Sequence, residues 1–146
     1  MIQKENLEKI RHSTSHALAA AVLEMFPEAK LGIGPNIKNG FYYDFELPRT
    51  LIPEDLEILE KKMTKFIDAG YDFVQYDEPK TKAIEFLKKA KQSYKIKLAE
   101  EIPGEKVSFY KTGPFVDLCQ GPHVKNTKEI KAFKLLSIAG AYWKGD

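Results

Sequence analysis

All three histidines of the chain and its one cysteine fall into two pairs of equal spacing: His12 with His16, and Cys119 with His123. Imidazole and thiol groups bind metals, move protons and attack esters. For these groups to act together, the fold must bring two distant segments into contact. A helix near the amino terminus has to meet a loop beyond Leu118. That requirement restricts the topology more than composition does.

The local signals are compatible with it. From Asn6 to Phe26, apolar residues recur at Leu7, Ile10, Leu18, Val22 and Met25, with alanines at 17, 19, 20 and 21, and Pro27 stops the run. This predicts a helix with His12 and His16 one turn apart on the same face. Asn39-Gly40 is a hairpin-turn signal, and Phe41 to Phe45 is rich in strand-forming aromatics, so Leu31 to Leu47 is expected to be a hairpin. Further helices are expected over 53–69, 81–90 and 94–101, with Gly70 ending the first. Strands are expected over 71–76, 107–110 and 115–118, and a strand and turn over 133–143. This irregular order points to an α+β fold with a mostly antiparallel sheet.

At 146 residues, with 43% hydrophobic residues, nine Phe and seven Tyr, one globular domain over 1–146 is expected rather than disorder. No run of 18 apolar residues is present, and Met1 to Asn6 lacks the apolar stretch of a signal peptide. A single cysteine cannot form an internal disulfide, which favours a reducing, cytoplasmic setting. Net charge is only +2, but Lys80 to Lys97 holds seven lysines against one acid, Glu85. That stripe is read as a solvated helix face, with a nucleic-acid patch as the alternative.

On a strand, Asp117 and Cys119 share a face. Gly121-Pro122 forces a turn that can return His123 toward Cys119. Two chemistries suit the resulting group. One is zinc held by His12, His16, Cys119 and His123, which supply N and S donors. The other is metal-free hydrolysis, with an imidazole activating water. Ser13 occupies the place of the glutamate in a His-Glu-x-x-His metalloprotease, so that class is disfavoured. Spacing does not choose between the other two.

The chain resembles the editing domain, the second amino-terminal domain, of bacterial-type threonyl-tRNA synthetases. The resemblance rests on Arg11-His12-Ser13-Thr14-Ser15-His16-Ala17, Asn39-Gly40-Phe41-Tyr42-Tyr43-Asp44 and Asp117-Leu118-Cys119-Gln120-Gly121-Pro122-His123-Val124. It continues through Phe133-Lys134-Leu135-Leu136 to Gly140-Ala141-Tyr142-Trp143-Lys144-Gly145-Asp146. Alanyl-tRNA synthetases and their free-standing editing relatives share the His pair and a similar Cys-x-x-x-His. The aromatic hairpin and the closing segment favour the threonyl group.

The resemblance implies hydrolysis of mischarged seryl-tRNA(Thr) at the terminal adenosine. It implies that His12, His16, Cys119 and His123 surround the ester, with His12 acting on water and Lys95 and His123 polarising the ester. Asp117 would anchor the serine amino or hydroxyl group, and Tyr43 would orient substrate. It implies no metal in the catalytic state, zinc being the alternative. The aminoacylation core and anticodon-binding domain of such synthetases do not fit in this length, so the chain is expected to be a fragment or a free-standing protein that does not charge tRNA. It is expected to be monomeric and to take the acceptor end of tRNA(Thr) carrying serine as its partner. Gln120 departs from the arginine of most relatives, removing any ionic contact from that position. The rival readings are a zinc-stabilised structural domain, a tRNA-binding module without catalysis, and alanyl-type editing.

Overall fold

The computed structural model describes residues 4–33, 36–37, 40–131 and 133–135. Its elements in order are α1 (Lys4–Met25), β1 (Lys30–Leu31), β2 (Asn36–Ile37), β3 (Gly40–Phe41), β4 (Phe45–Glu46), α2 (Pro53–Asp68), β5 (Phe73–Pro79), α3 (Lys80–Lys89), α4 (Ser93–Glu101), β6 (Lys106–Thr112), β7 (Phe115–Leu118) and a 3-10 turn at Thr127–Glu129. The class is α+β, and every pairing is antiparallel.

Helix α1 is the central element. Residues 13 to 19 are all buried, serines and threonine included, so the helix is enclosed on every side rather than amphipathic. Thr14 Oγ1 and Ser15 Oγ donate to the carbonyls of Ile10 and His12, which satisfies two of those buried hydroxyls within the helix. Ala17, Leu18, Ala21 and Val22 pack against Leu59, Met63 and Ile67 of α2. Helix α2 opens on Pro53. Asp55 accepts from Ile52 N at 2.8 Å and is clamped by both guanidinium nitrogens of Arg49. These bonds hold the Asp55 carboxyl down at about 2. Gly70, at φ +69, ends the helix where expected.

The main sheet has the order β5-β6-β7. Its two-residue alternation sorts the side chains. Val107 and Phe109 of β6 and Leu118 of β7 face one way and pack on Ala83 and Leu87 of α3 and Ala99 of α4. Tyr110 and Thr112 of β6, with Asp117 and Phe115 opposite them, face the other way, toward α1. One surface is therefore an apolar packing face, and the other carries Asp117, Tyr110 and Thr112 toward the histidines. Strand β5 runs to Pro79, beyond the expected end at Tyr76. It is an edge strand, where a proline costs no ladder bond on its free side.

The expected hairpin over 31–47 forms as two nested ribbons, β1 with β4 and β2 with β3. The Asn39 part of its turn signal lies outside the described residues. So does the closing segment from 136 onward, and residues 133–135 adopt no regular element. The 3-10 turn at Thr127 was not expected from the sequence. Among the described residues, no helix is long and apolar enough to cross a membrane.

Candidate active site

The two paired segments meet. His12 and His123 stack with ring centroids 4.3 Å apart, and His16 stands edge-on to His123 at 4.8 Å. Cys119 Sγ lies 3.2 Å from His123 Nε2 and 3.6 Å from His12 Nε2. The turn does what its residues require. Gly121 takes φ +76, its N–H donates to Cys119 Sγ at 3.3 Å, and the chain returns to place His123 under the thiol. Cys119 sits just past the end of β7, yet its own N–H still donates to Ser108 O of β6, so it stays in strand register with Asp117. These residues open onto a cavity of about 480 Å³, also lined by Tyr43, Lys95 and Ser108. That size suits a small organic ligand.

His12 Nδ1 lies 3.1 Å from the Pro122 carbonyl oxygen. A carbonyl can only accept, so the proton is on Nδ1 and Nε2 is bare toward Cys119. Burial lowers the His12 pKa, which keeps this ring neutral near pH 7. Burial also pushes the Cys119 thiol up to about 11, with the Asp117 carboxylate adding to the effect. Cys119 is thus a thiol rather than a thiolate.

His16 plays a different part from the other two imidazoles. It is almost fully buried against Phe115 and Phe73, and its Nε2 meets Thr112 Oγ1 at 3.1 Å. Burial drives its pKa well below the ordinary histidine value. Among the described residues, the donor atoms that cluster within 4.8 Å are those of His12, Cys119 and His123 alone. His16, with its Nε2 bonded to Thr112, lies outside that three-donor group.

Lys95 is not part of the solvated stripe. Lys82, Lys88, Lys89, Lys91 and Lys97 are exposed, but Lys95 is 4% exposed. Its Nζ lies 3.2 Å from Asp117 Oδ1 and donates to Leu118 O. Tyr43 donates to Asp117 Oδ2 at 3.0 Å, and Lys95 sits over the Tyr43 ring. Asp117, Lys95 and Tyr43 are thus one hydrogen-bonded unit at the cavity wall. The ionic partner of Lys95 is Asp117, and Lys95 lines the cavity in which the ester is expected. Gln120 is exposed at the cavity rim.

Residues 107–146 match the family described as the threonyl and alanyl tRNA synthetase second additional domain. The similarity to individual proteins extends far beyond that segment. A threonine–tRNA ligase of Clostridium tetani is 51% identical over 144 residues, covering 98% of this chain and 22% of the relative. One from Dehalococcoides mccartyi is 55% identical over 141 residues, covering 97% and 24%. One from Clostridioides difficile is 48% identical over 144 residues, covering 98% and 22%. The chain carries the second additional domain of threonyl-tRNA synthetases. It spans under a quarter of the length of these curated relatives.

Three contributors to this second additional domain's site escaped sequence reasoning: Ser13, Tyr110 and the Pro122 carbonyl. Ser13 is one residue from His12 on the helix face that meets the loop, and that spacing was its only signal. Tyr110 stands edge-on to His123 at 4.5 Å. A Cβ at Gly121 would fall 2.4 Å from the Tyr110 hydroxyl. Gly121→Ala should therefore displace Tyr110, strain the loop by about 1–3 kcal/mol and misplace His123. Chemical denaturation checks the strain, and a shift of the His123 ring resonances in NMR checks the displacement.

Proposed function

We propose that this domain hydrolyses the ester of seryl-tRNA(Thr) as a proofreading step of the synthetase family, and that residues 1–146 act as one editing unit. Water attacks the carbonyl carbon while His12 Nε2 receives its proton. The bond to the ribose oxygen then breaks and that oxygen takes up a proton, releasing serine and tRNA. The observation that carries this reading is the convergence of a bare imidazole nitrogen, a second imidazole and a thiol on one cavity. Asp117 lines the cavity, and its carboxylate, oriented by Lys95 and Tyr43, is the acceptor suited to the serine ammonium or hydroxyl group.

The need for such a step follows from substrate size. Serine is threonine less a methyl, and one methyl in an apolar pocket discriminates by only ~1–3 kcal/mol. A second site that accepts serine and rejects threonine adds a further sieve. The exposed lysines at 82, 88, 89, 91 and 97 provide positive charge suited to a phosphate backbone.

The reaction is proposed to need no metal. His16 Nε2 bonds to Thr112 and lies outside the donor cluster of His12, Cys119 and His123, which supports a reading in which imidazoles rather than a closed four-donor zinc centre act on the ester. A zinc centre is the second reading, favoured by the clustering of His12, Cys119 and His123, whose donor set suits zinc with an open position. A short seryl-ester mimic of the tRNA acceptor end, assayed before and after chelation, separates the two. Unchanged hydrolysis supports the metal-free reading. Activity lost on chelation and restored by zinc supports the second.

A further inference from the structure

Ser13 is fully buried beside His12 and bonds to the opposite loop. Its Oγ lies 3.0 Å from Val124 N and 2.9 Å from His123 Nδ1. A backbone N–H can only donate, so Ser13 accepts from Val124. The hydroxyl has one hydrogen to give, and among the described residues its other bonding partner is His123 Nδ1. Ser13 therefore donates to Nδ1. A neutral imidazole carries a single N–H, which must then reside on Nε2. A ring that accepts at Nδ1 is not an imidazolium, so His123 is neutral in this arrangement.

The polarity of His12 is the reverse, since Pro122 O takes its Nδ1–H. The chain of bonds runs one way throughout: Val124 N–H to Ser13, Ser13 to His123, His123 to Cys119, Cys119 to His12, and His12 to Pro122 O. Both ends are backbone groups that cannot reverse their roles, so the direction is built into the fold.

We infer that Ser13 is a positioning residue that fixes His123 as an N–H donor at Nε2, while Pro122 fixes His12 as an acceptor, so that two stacked imidazoles divide opposite tasks. This rests on the ester-hydrolysis reading for its consequence. A substrate oxygen that displaces the Cys119 sulfur from His123 Nε2 meets a hydrogen-bond donor there, which can stabilise charge developing on that oxygen. The attacking water replaces the long Cys119 contact at 3.6 Å and meets an unprotonated Nε2 on His12. With His123 in the other tautomer, both rings would present lone pairs and the donor would be lost.

Long-range proton–nitrogen NMR of the wild-type protein near pH 7 reads the tautomer directly, without any variant or substrate. His123 should show a pyridine-type Nδ1 and a pyrrole-type Nε2, and His12 the opposite pattern. In Ser13→Ala, His123 should shift toward a mixture of tautomers. Turnover of the seryl-ester mimic should fall by up to about tenfold in kcat, the worth of one hydrogen bond, with little change in KM. A wild-type His123 protonated at Nδ1 overturns the inference, whether or not the ester is cleaved. So does a Ser13→Ala protein whose tautomer and turnover match wild type. A wild type with the expected tautomers that cleaves no ester leaves the assignment of Ser13 standing and defeats the hydrolysis reading instead.

Discussion

His12→Ala should slow seryl-ester hydrolysis by about 10²–10⁴-fold, the contribution of a well-placed general base, while leaving the fold intact. His12 is half-buried at the cavity, and its side chain bonds to Pro122 and Cys119 of the loop rather than to the core. Its Nε2 is the site's bare imidazole nitrogen, and burial keeps it unprotonated at neutral pH. The pH profile is a second signature. A base must be deprotonated to act, and the folded pKa of His12 is lowered from 6.5. Hydrolysis should hold through neutrality and fall only as pH drops through that lowered value. The variant should lose this acid limb. Single-turnover deacylation across pH measures both effects, and a variant as fast as wild type removes His12 from the mechanism.

Lys95→Ala should destabilise the protein by about 3–5 kcal/mol, because it strands a buried carboxylate. The Lys95 and Asp117 side chains are 6% and 5% exposed, and the pair closes at 3.2 Å. Without the ammonium, the charge-stabilising partner left to Asp117 among the described residues is the Tyr43 hydroxyl. The double change Lys95→Met with Asp117→Asn removes both charges and should recover most of that loss. Urea denaturation of the two variants is the measurement. Equal destabilisation in both would show that packing, not the unpaired charge, sets the cost.

The helices and the site's two halves were legible because their signals are local. Alanine-rich periodicity ending at Pro27 specifies α1, and Gly121-Pro122 specifies the turn that returns His123 to Cys119. The strand period alone places Asp117 and Cys119 on one face. What stayed hidden depends on partners distant in the chain. Lys95 reads as one lysine among seven until α4 shows it on the buried side with Ala99, one turn on. The turn at Thr127 is pinned by Asn126 donating to Gly70 O and Asp72 Oδ1, contacts that no window around 127 contains. The displacement of His16 from the donor cluster follows from Thr112, which faces α1 only because of its register in β6. Ser13 stands in the sequence where a metalloprotease has glutamate, and no local signal shows that its hydroxyl bridges α1 to the loop carrying His123.

The most direct measurement offers seryl-tRNA(Thr), threonyl-tRNA(Thr) and seryl-tRNA(Ala) to the protein side by side and follows deacylation of each. Rapid release of serine from tRNA(Thr), with threonyl-tRNA(Thr) left intact, is the predicted result. Equal cleavage of the threonyl and seryl esters, or binding with no cleavage of any of the three, would contradict it.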